Sequence, residues 1–132
     1  MNAFYRGTAP RIYIDRAPHF TAYSAFTVSN YKNWSGSLRV RAINRYILNG
    51  EGAGGAVVPG HTVWDISAAR NINRWLDLNF AADNLLNKFF YETFEMYTSA
   101  LKGEAPLQRV HGTPGYPRTI MAGVTIHLFP KN

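Results

Sequence analysis

Residues 34–48 read WSGSLRVRAINRYIL, and they alternate with a period of two. An extended chain would carry Trp34, Gly36, Leu38, Val40, Ala42, Asn44, Tyr46 and Leu48 on one side. The other side would carry Ser35, Ser37, Arg39, Arg41, Ile43 and Arg45. Successive side chains of a strand point to opposite faces, whereas a helix repeats its apolar positions every three or four residues. One long strand with an oily side and a wet side is the expectation.

The same period recurs on both flanks. Residues 19–29, HFTAYSAFTVS, set Phe20, Ala22, Ser24, Phe26 and Val28 against His19, Thr21, Tyr23, Ala25 and Thr27. Residues 63–71, VWDISAARN, set Trp64, Ile66 and Ala68 against Val63, Asp65, Ser67 and Ala69. Residues 75–84, WLDLNFAADN, set Leu76, Leu78, Phe80 and Ala82 against Trp75, Asp77, Asn79, Ala81 and Asp83. Residues 118–129 set Ile120, Ala122, Val124, Ile126 and Leu128 against Thr119, Met121, Gly123, Thr125 and His127. The fold class expected is all-β, an antiparallel meander of about five long strands.

These strands run to about 9–14 residues, beyond the roughly 5–6 usual in globular sheets and near the ~9–11 that cross a bilayer at a tilt. Their links also sort by length. NYKN and INR are short, whereas NGEGAGGAVVPGH and residues 88–117 are long. Membrane barrels combine short periplasmic turns with long external loops, and on that scheme the C-terminus and both short turns fall on the periplasmic side. A soluble ligand-binding barrel of the lipocalin or fatty-acid-binding type also alternates, with its apolar face turned inward.

Composition narrows the chemistry. With no cysteine there is no disulfide and no thiolate metal site, and the absence does not fix a redox compartment. Net charge is +6, with ten arginines among the fourteen cations, which suits either anion recognition or scattered surface charge. No apolar run reaches the length of a membrane helix, and residues 1–20 lack the apolar core of a signal peptide. If the protein lies outside the cytoplasm, Met1 is expected to be an artificial or truncated start.

His19, His61, His111 and His127 show no metal-ligand spacing, no Gly-x-Ser-x-Gly elbow occurs, and GEGAGG lacks the Lys-Ser/Thr of a phosphate loop. No enzyme activity, cofactor or metal is expected. No basic–aromatic stripe marks a nucleic-acid partner. The candidate binding residues are Arg39, Arg41 and Arg45, placed by parity on the wet face with Asp65 and Asp77 of neighbouring strands. They could attract an anionic chelate or hold another domain by ion pairs, or form a solvated wall with no ligand.

Four motifs then occur in order: Ala17-Pro18-His19-Phe20; Val58-Pro59-Gly60-His61-Thr62-Val63-Trp64-Asp65; Asn84-Leu85-Leu86-Asn87-Lys88 followed by Phe89, Phe90 and Tyr91; and Gly115-Tyr116-Pro117-Arg118-Thr119. In this order, over about residues 17–129, the chain resembles the C-terminal barrel of TonB-dependent outer-membrane receptors, importers of ferric siderophores and other scarce nutrients. His61 stands where the family usually has Tyr.

The resemblance implies a Gram-negative outer membrane and a complete barrel of about 22 strands. Residues 1–132 would be the C-terminal part of that barrel, with the plug domain and the TonB-contacting segment absent. Such a fragment is not competent for transport alone, and five open strands leave unpaired edges. Its partners would be outer-membrane lipid, the barrel assembly machinery, the remainder of the barrel and the plug, with the TonB complex reached only through the missing N-terminal part. Gly123, Ile126 and Leu128 fit the spacing of the family's C-terminal assembly signal, although Leu128 fills the aromatic slot and Phe129 follows it. On this reading residues 84–91 lie near the outer half of a strand, Asn and Lys interrupting the ladder and the aromatics forming an interfacial girdle.

Overall fold

The computed structural model describes residues 4–5, 12–13, 17–48 and 55–129. Met1, the glycine-rich run 50–54 and the tail after Phe129 lie outside the described residues. The strands in chain order are β1 (Phe4–Tyr5), β2 (Ile12–Tyr13), β3 (Thr21–Tyr31), β4 (Trp34–Ile43), β5 (Tyr46–Leu48), β6 (Ala56–Val58), β7 (His61–Asn73), β8 (Leu76–Asp83), β9 (Tyr91–Ser99), β10 (Leu107–Pro114) and β11 (Thr119–Ile126). No helix occurs among the described residues.

The expected five strands are β3, β4, β7, β8 and β11. They form one sheet in that spatial order, so each pairs with the next long strand along the chain. β8 is antiparallel to both of its neighbours. Residues directly opposite one another in an antiparallel ladder share a face. The rows Ile66–Ala82–Ile120, Ala68–Phe80–Ala122 and Arg70–Leu78–Val124 cross β7, β8 and β11 on one face. The rows Ser67–Ala81–Met121, Ala69–Asn79–Gly123 and Asn71–Asp77–Thr125 cross the other. Bulky and small side chains alternate within the first two of these rows: Phe80 stands between two alanines, and Ala82 between two isoleucines.

Two tight turns join the long strands. Lys32 and Asn33 both take positive φ, 49° and 67°, as a two-residue turn of type I′ requires. Asn30 is also left-handed, at 51°. Its amide donates to Ser35 Oγ at 3.0 Å across the turn. Phe26 and Val28 line one shallow groove with Trp34, Leu38 and Ile66. At the second turn Asn73 Oδ1 accepts the Trp75 amide at 2.8 Å, next to a register shift between Asn71 and Asn73.

The strand expected over 34–48 is interrupted. β4 ends at Ile43, and the Asn44 amide donates to Phe20 O at 2.9 Å while its own Oδ1 accepts the Arg45 amide at 2.8 Å. An asparagine side chain that bonds its neighbour's backbone competes with the ladder. Tyr46 and Leu48 therefore do not extend the oily stripe of β4. They belong to β5, which pairs with β6, and Leu48 and Val58 form a buried cluster with Tyr46, Ala56, Phe94 and Met96. The segments 49–61 and 88–117, expected as loops, contain β6 and the antiparallel β9–β10 hairpin.

The chain divides into two compact units. Ala22–Arg41, Thr62–Lys88 and Tyr116–Asn132 make one, which contains most of the long sheet. Met1–Thr21, Ala42–His61 and Phe89–Gly115 make the other, with the Leu48–Val58 cluster and the β9–β10 hairpin.

Gly36 lets the backbone of β7 approach closely, since a Cβ there would lie 2.7 Å from Ser67 O. A Cβ on Gly123 would meet nothing nearer than Asn79 Cβ at 3.9 Å. Gly36→Val is expected to cost about 1–3 kcal/mol through forced backbone displacement, and Gly123→Ala under about 0.5 kcal/mol. Urea unfolding followed by circular dichroism in detergent checks the contrast.

Candidate functional site

The polar face of the long sheet is tied across its strands by side chains. Ser37 and Ser67 share a hydroxyl hydrogen bond of 2.9 Å between β4 and β7. Asn79 Nδ2 donates to Thr125 Oγ1 at 2.9 Å between β8 and β11. Arg39 reaches Asp83 at 3.5 Å, and Arg41 reaches Asp65 at 3.5 Å. Two of the sequence-derived candidates, Arg41 and Asp65, thus meet. Asp77 instead pairs with His127, Nε2 to Oδ2 at 2.9 Å. Arg45 lies beyond the end of β4 and belongs to the other compact unit. Asp83, which parity also placed on this face, is the residue that Arg39 selects.

Asp65 is the buried member of the set, whereas the Arg41 side chain is about half exposed. A buried carboxylate needs hydrogen-bond donors as well as a counter-charge. Its second partner is the backbone of Asn84, whose amide donates to Asp65 Oδ1 at 3.0 Å.

Asn84 occupies the turn that follows β8. It is buried and left-handed, φ 49°, a region asparagine enters more easily than most residues. Its Oδ1 accepts the Lys88 amide at 2.8 Å, and its Nδ2 donates to Lys88 O at 2.8 Å and Tyr116 O at 3.0 Å. Asn87 repeats the device: φ is 51°, its amide donates to Asn84 O at 2.8 Å, and its Oδ1 accepts the Arg118 amide at 3.1 Å. Leu85 N donates to Trp64 O at 2.7 Å, while Leu86 and Lys88 are exposed. The Asn84–Lys88 motif is thus a clamp on backbone groups, joining the end of β8 to the approach of β11. Its amides are engaged by the protein's own main chain.

The aromatics after the clamp do not form one girdle. Phe90 is buried, its ring 4.5 Å from that of His61, and it closes over Gly115, where any Cβ would collide with the ring. Gly115 N donates to Phe90 O at 2.9 Å. Phe89 is exposed and stands edge-on to Tyr91 at 5.2 Å. The backbone pairing with Gly115 turns Phe90 into a packing residue, which alternation could not indicate.

At the C-terminal signal, Gly123 and Ile126 lie on β11, but the strand stops at Ile126 rather than at residue 129. His127 N donates to Trp75 O at 2.8 Å, and Leu128 and Phe129 follow outside the strand, largely exposed.

The β9–β10 hairpin carries a polar set the sequence reading did not select. Glu95 stands opposite His111, and Tyr97 opposite Arg109. The Tyr97 phenol donates to the Glu95 carboxylate, and this bond, with the carboxylate's charge, holds the phenol above its ordinary range. His111 Nε2 lies 3.2 Å from Ser99 Oγ, and Arg109 pairs with Glu104 at 2.7 Å. The period-two signal was present in Phe94, Met96 and Glu95, Tyr97, but it is short and flanked by a Gly- and Pro-containing link. Among the described residues no three His, Asp or Glu converge as metal ligands.

No family model matches the chain, and neither a curated protein nor a solved structure does.

Two outcomes follow from the clamp. Asn84→Ala should cost about 2–4 kcal/mol, from lost buried hydrogen bonds and left-handed strain together, with Asn84→Gly recovering roughly the 1 kcal/mol of strain. Hydrogen exchange at the Lys88 amide should report the loss in both. Arg41→Gln, which removes the counter-charge of buried Asp65 but keeps a donor beside it, should cost about 1–2 kcal/mol, whereas Asp65→Ala, which takes away the acceptor of the Asn84 amide and the partner of Arg41, should cost about 2–4 kcal/mol in denaturant unfolding.

Proposed function

We propose that the chain forms a wall of an outer-membrane β-barrel of the TonB-dependent receptor type, serving nutrient import rather than catalysis. One observation carries the reading: the sheet exposes its oily side and ties its polar side together. Leu78, Phe80, Ile120, Val124 and Ile126 are 43–70% exposed, while Asp65 on the opposite face is buried among polar partners. Soluble sheets turn large apolar side chains away from water. Lipid accepts them, and a wet lumen accepts the Arg–Asp ladder.

Strand length supports the same reading. β3, β4 and β7 have 11, 10 and 13 residues, enough for a tilted crossing, whereas β8 and β11 have 8 each, shorter than the sequence pattern led one to expect. The order of the four motifs supports the receptor class within membrane barrels. On this reading the partners are outer-membrane lipid, the barrel assembly machinery acting on the end of β11, and a plug facing Arg39 and Arg41. Ferric siderophores or comparable scarce nutrients are the cargo class, and TonB contact belongs to the plug-bearing part of such a receptor.

The test sets adjacent residues of β11 against each other. In lipid, Val124→Arg should lose about 2–4 kcal/mol near the bilayer midplane, and Thr125→Arg should be tolerated. Folding into vesicles, read by circular dichroism after flotation, distinguishes them. Tolerance at Val124 with failure at Thr125 inverts the facing. A chain that stays monodisperse in buffer without detergent is instead a soluble carrier of the lipocalin type.

A further inference from the structure

The cations of the long sheet follow two rules. Arg39 and Arg41 sit beside carboxylates on the polar face. At the two tight turns, and at Arg70 within β7, the cations lie over aromatic rings instead. Lys32 Nζ is 5.5 Å from the centre of the Tyr31 ring, the Arg70 guanidinium 5.1 Å from Trp34, and the Arg74 guanidinium 5.4 Å from Trp75. A guanidinium held over an indole is steadied by the ring's negative face. Its forked N–H donors match two phosphate oxygens.

Arg70 is also the polar end of a groove on the apolar face. Its row, Arg70–Leu78–Val124, adjoins the row Ala68–Phe80–Ala122. The groove, about 520 Å³, is lined by Trp34, Ala68, Arg70, Leu78, Phe80 and Val124. Alanines on either side of Phe80 keep its floor low. An oily trough with a guanidinium held over an indole at its rim is complementary in both halves to an acyl chain joined to a phosphate.

We propose that this groove seats an anionic membrane phospholipid in preference to a zwitterionic one, with an acyl chain along Ala68–Phe80–Ala122 and the headgroup phosphate on Arg70. Lys32 and Arg74 mark the same headgroup level at the neighbouring turns. The proposal rests on the membrane reading above, which supplies the lipid but does not select an anionic headgroup.

The test places the full chain in phosphatidylcholine vesicles containing, at equal mole fraction, either brominated phosphatidylglycerol or brominated phosphatidylcholine, and reads quenching of tryptophan fluorescence. Both lipids should quench, the anionic one more strongly, with a local enrichment on the order of five-fold for one cation at the surface. Arg70→Gln should abolish the excess and keep the phosphatidylcholine quenching, while Lys102→Gln should change neither. Equal quenching by the two lipids, or an excess that survives Arg70→Gln, overturns the seat and leaves the membrane reading standing. Should Arg70→Gln lose all quenching, Arg70→Lys decides: a retained excess supports the seat, and a lost one overturns it. An excess removed by added inorganic phosphate reveals a free-phosphate site and overturns the lipid assignment. Quenching by neither lipid in the unaltered chain ends the membrane reading itself.

Discussion

The register between β7, β8 and β11 is the constraint on which the long sheet depends. Because side chains alternate along a strand, a shift of one residue would carry every member of an apolar row to the opposite face. The observed pairing keeps Ile66, Ala68, Leu78, Phe80, Ala82, Ile120, Ala122 and Val124 together. It keeps Ser67, Asn79, Asp77 and Thr125 together on the reverse. The Ser37–Ser67 hydroxyl pair and the Arg41–Asp65 and Arg39–Asp83 contacts extend the polar face to β4. The polar ladder is a consequence of backbone pairing, as the exposed oily face is.

The clamp at Asn84 shows how local stereochemistry serves that pairing. β8 must stop, the chain must leave the sheet, and β11 must return beside β8 after a long excursion. A left-handed asparagine stops the strand, and the same side chain bonds the backbone at Lys88 and Tyr116, on both sides of the excursion. Asp65 fixes the amide of that asparagine from the neighbouring strand. Insertions within residues 89–115 are therefore free of the task of returning β11 to its place.

Period-two patterning made the five long strands legible because each has one oily and one wet side over many residues. The same pattern grouped Arg39, Arg41 and Asp65 correctly on one face. It misassigned Tyr46 and Leu48, since parity continues through Asn44 even though that residue's side chain breaks the ladder. It passed over β9 and β10, which are as long as β8 and β11 but mix polar, charged and aromatic side chains on each face, as any mixed loop does. Partner choice was also hidden: parity places Asp77 and Asp83 alike, and only the stagger between strands gives Asp83 to Arg39 and Asp77 to His127. Phe90 was illegible because its burial depends on a distant glycine.

The alternation of large and small side chains across β7, β8 and β11 also acts as an error check. Parity alone cannot detect a slip of two residues, which restores every side chain to its proper face. Size can. A two-residue slip between β8 and β11 would bring Phe80 against Val124 or Ile120 in place of Ala122, jamming one row. In one direction Ala82 would then oppose Ala122 and hollow the next. The hydrophobic pattern thus encodes orientation, and the volumes written over it encode position, so the same few residues carry two independent messages to a strand searching for its mate.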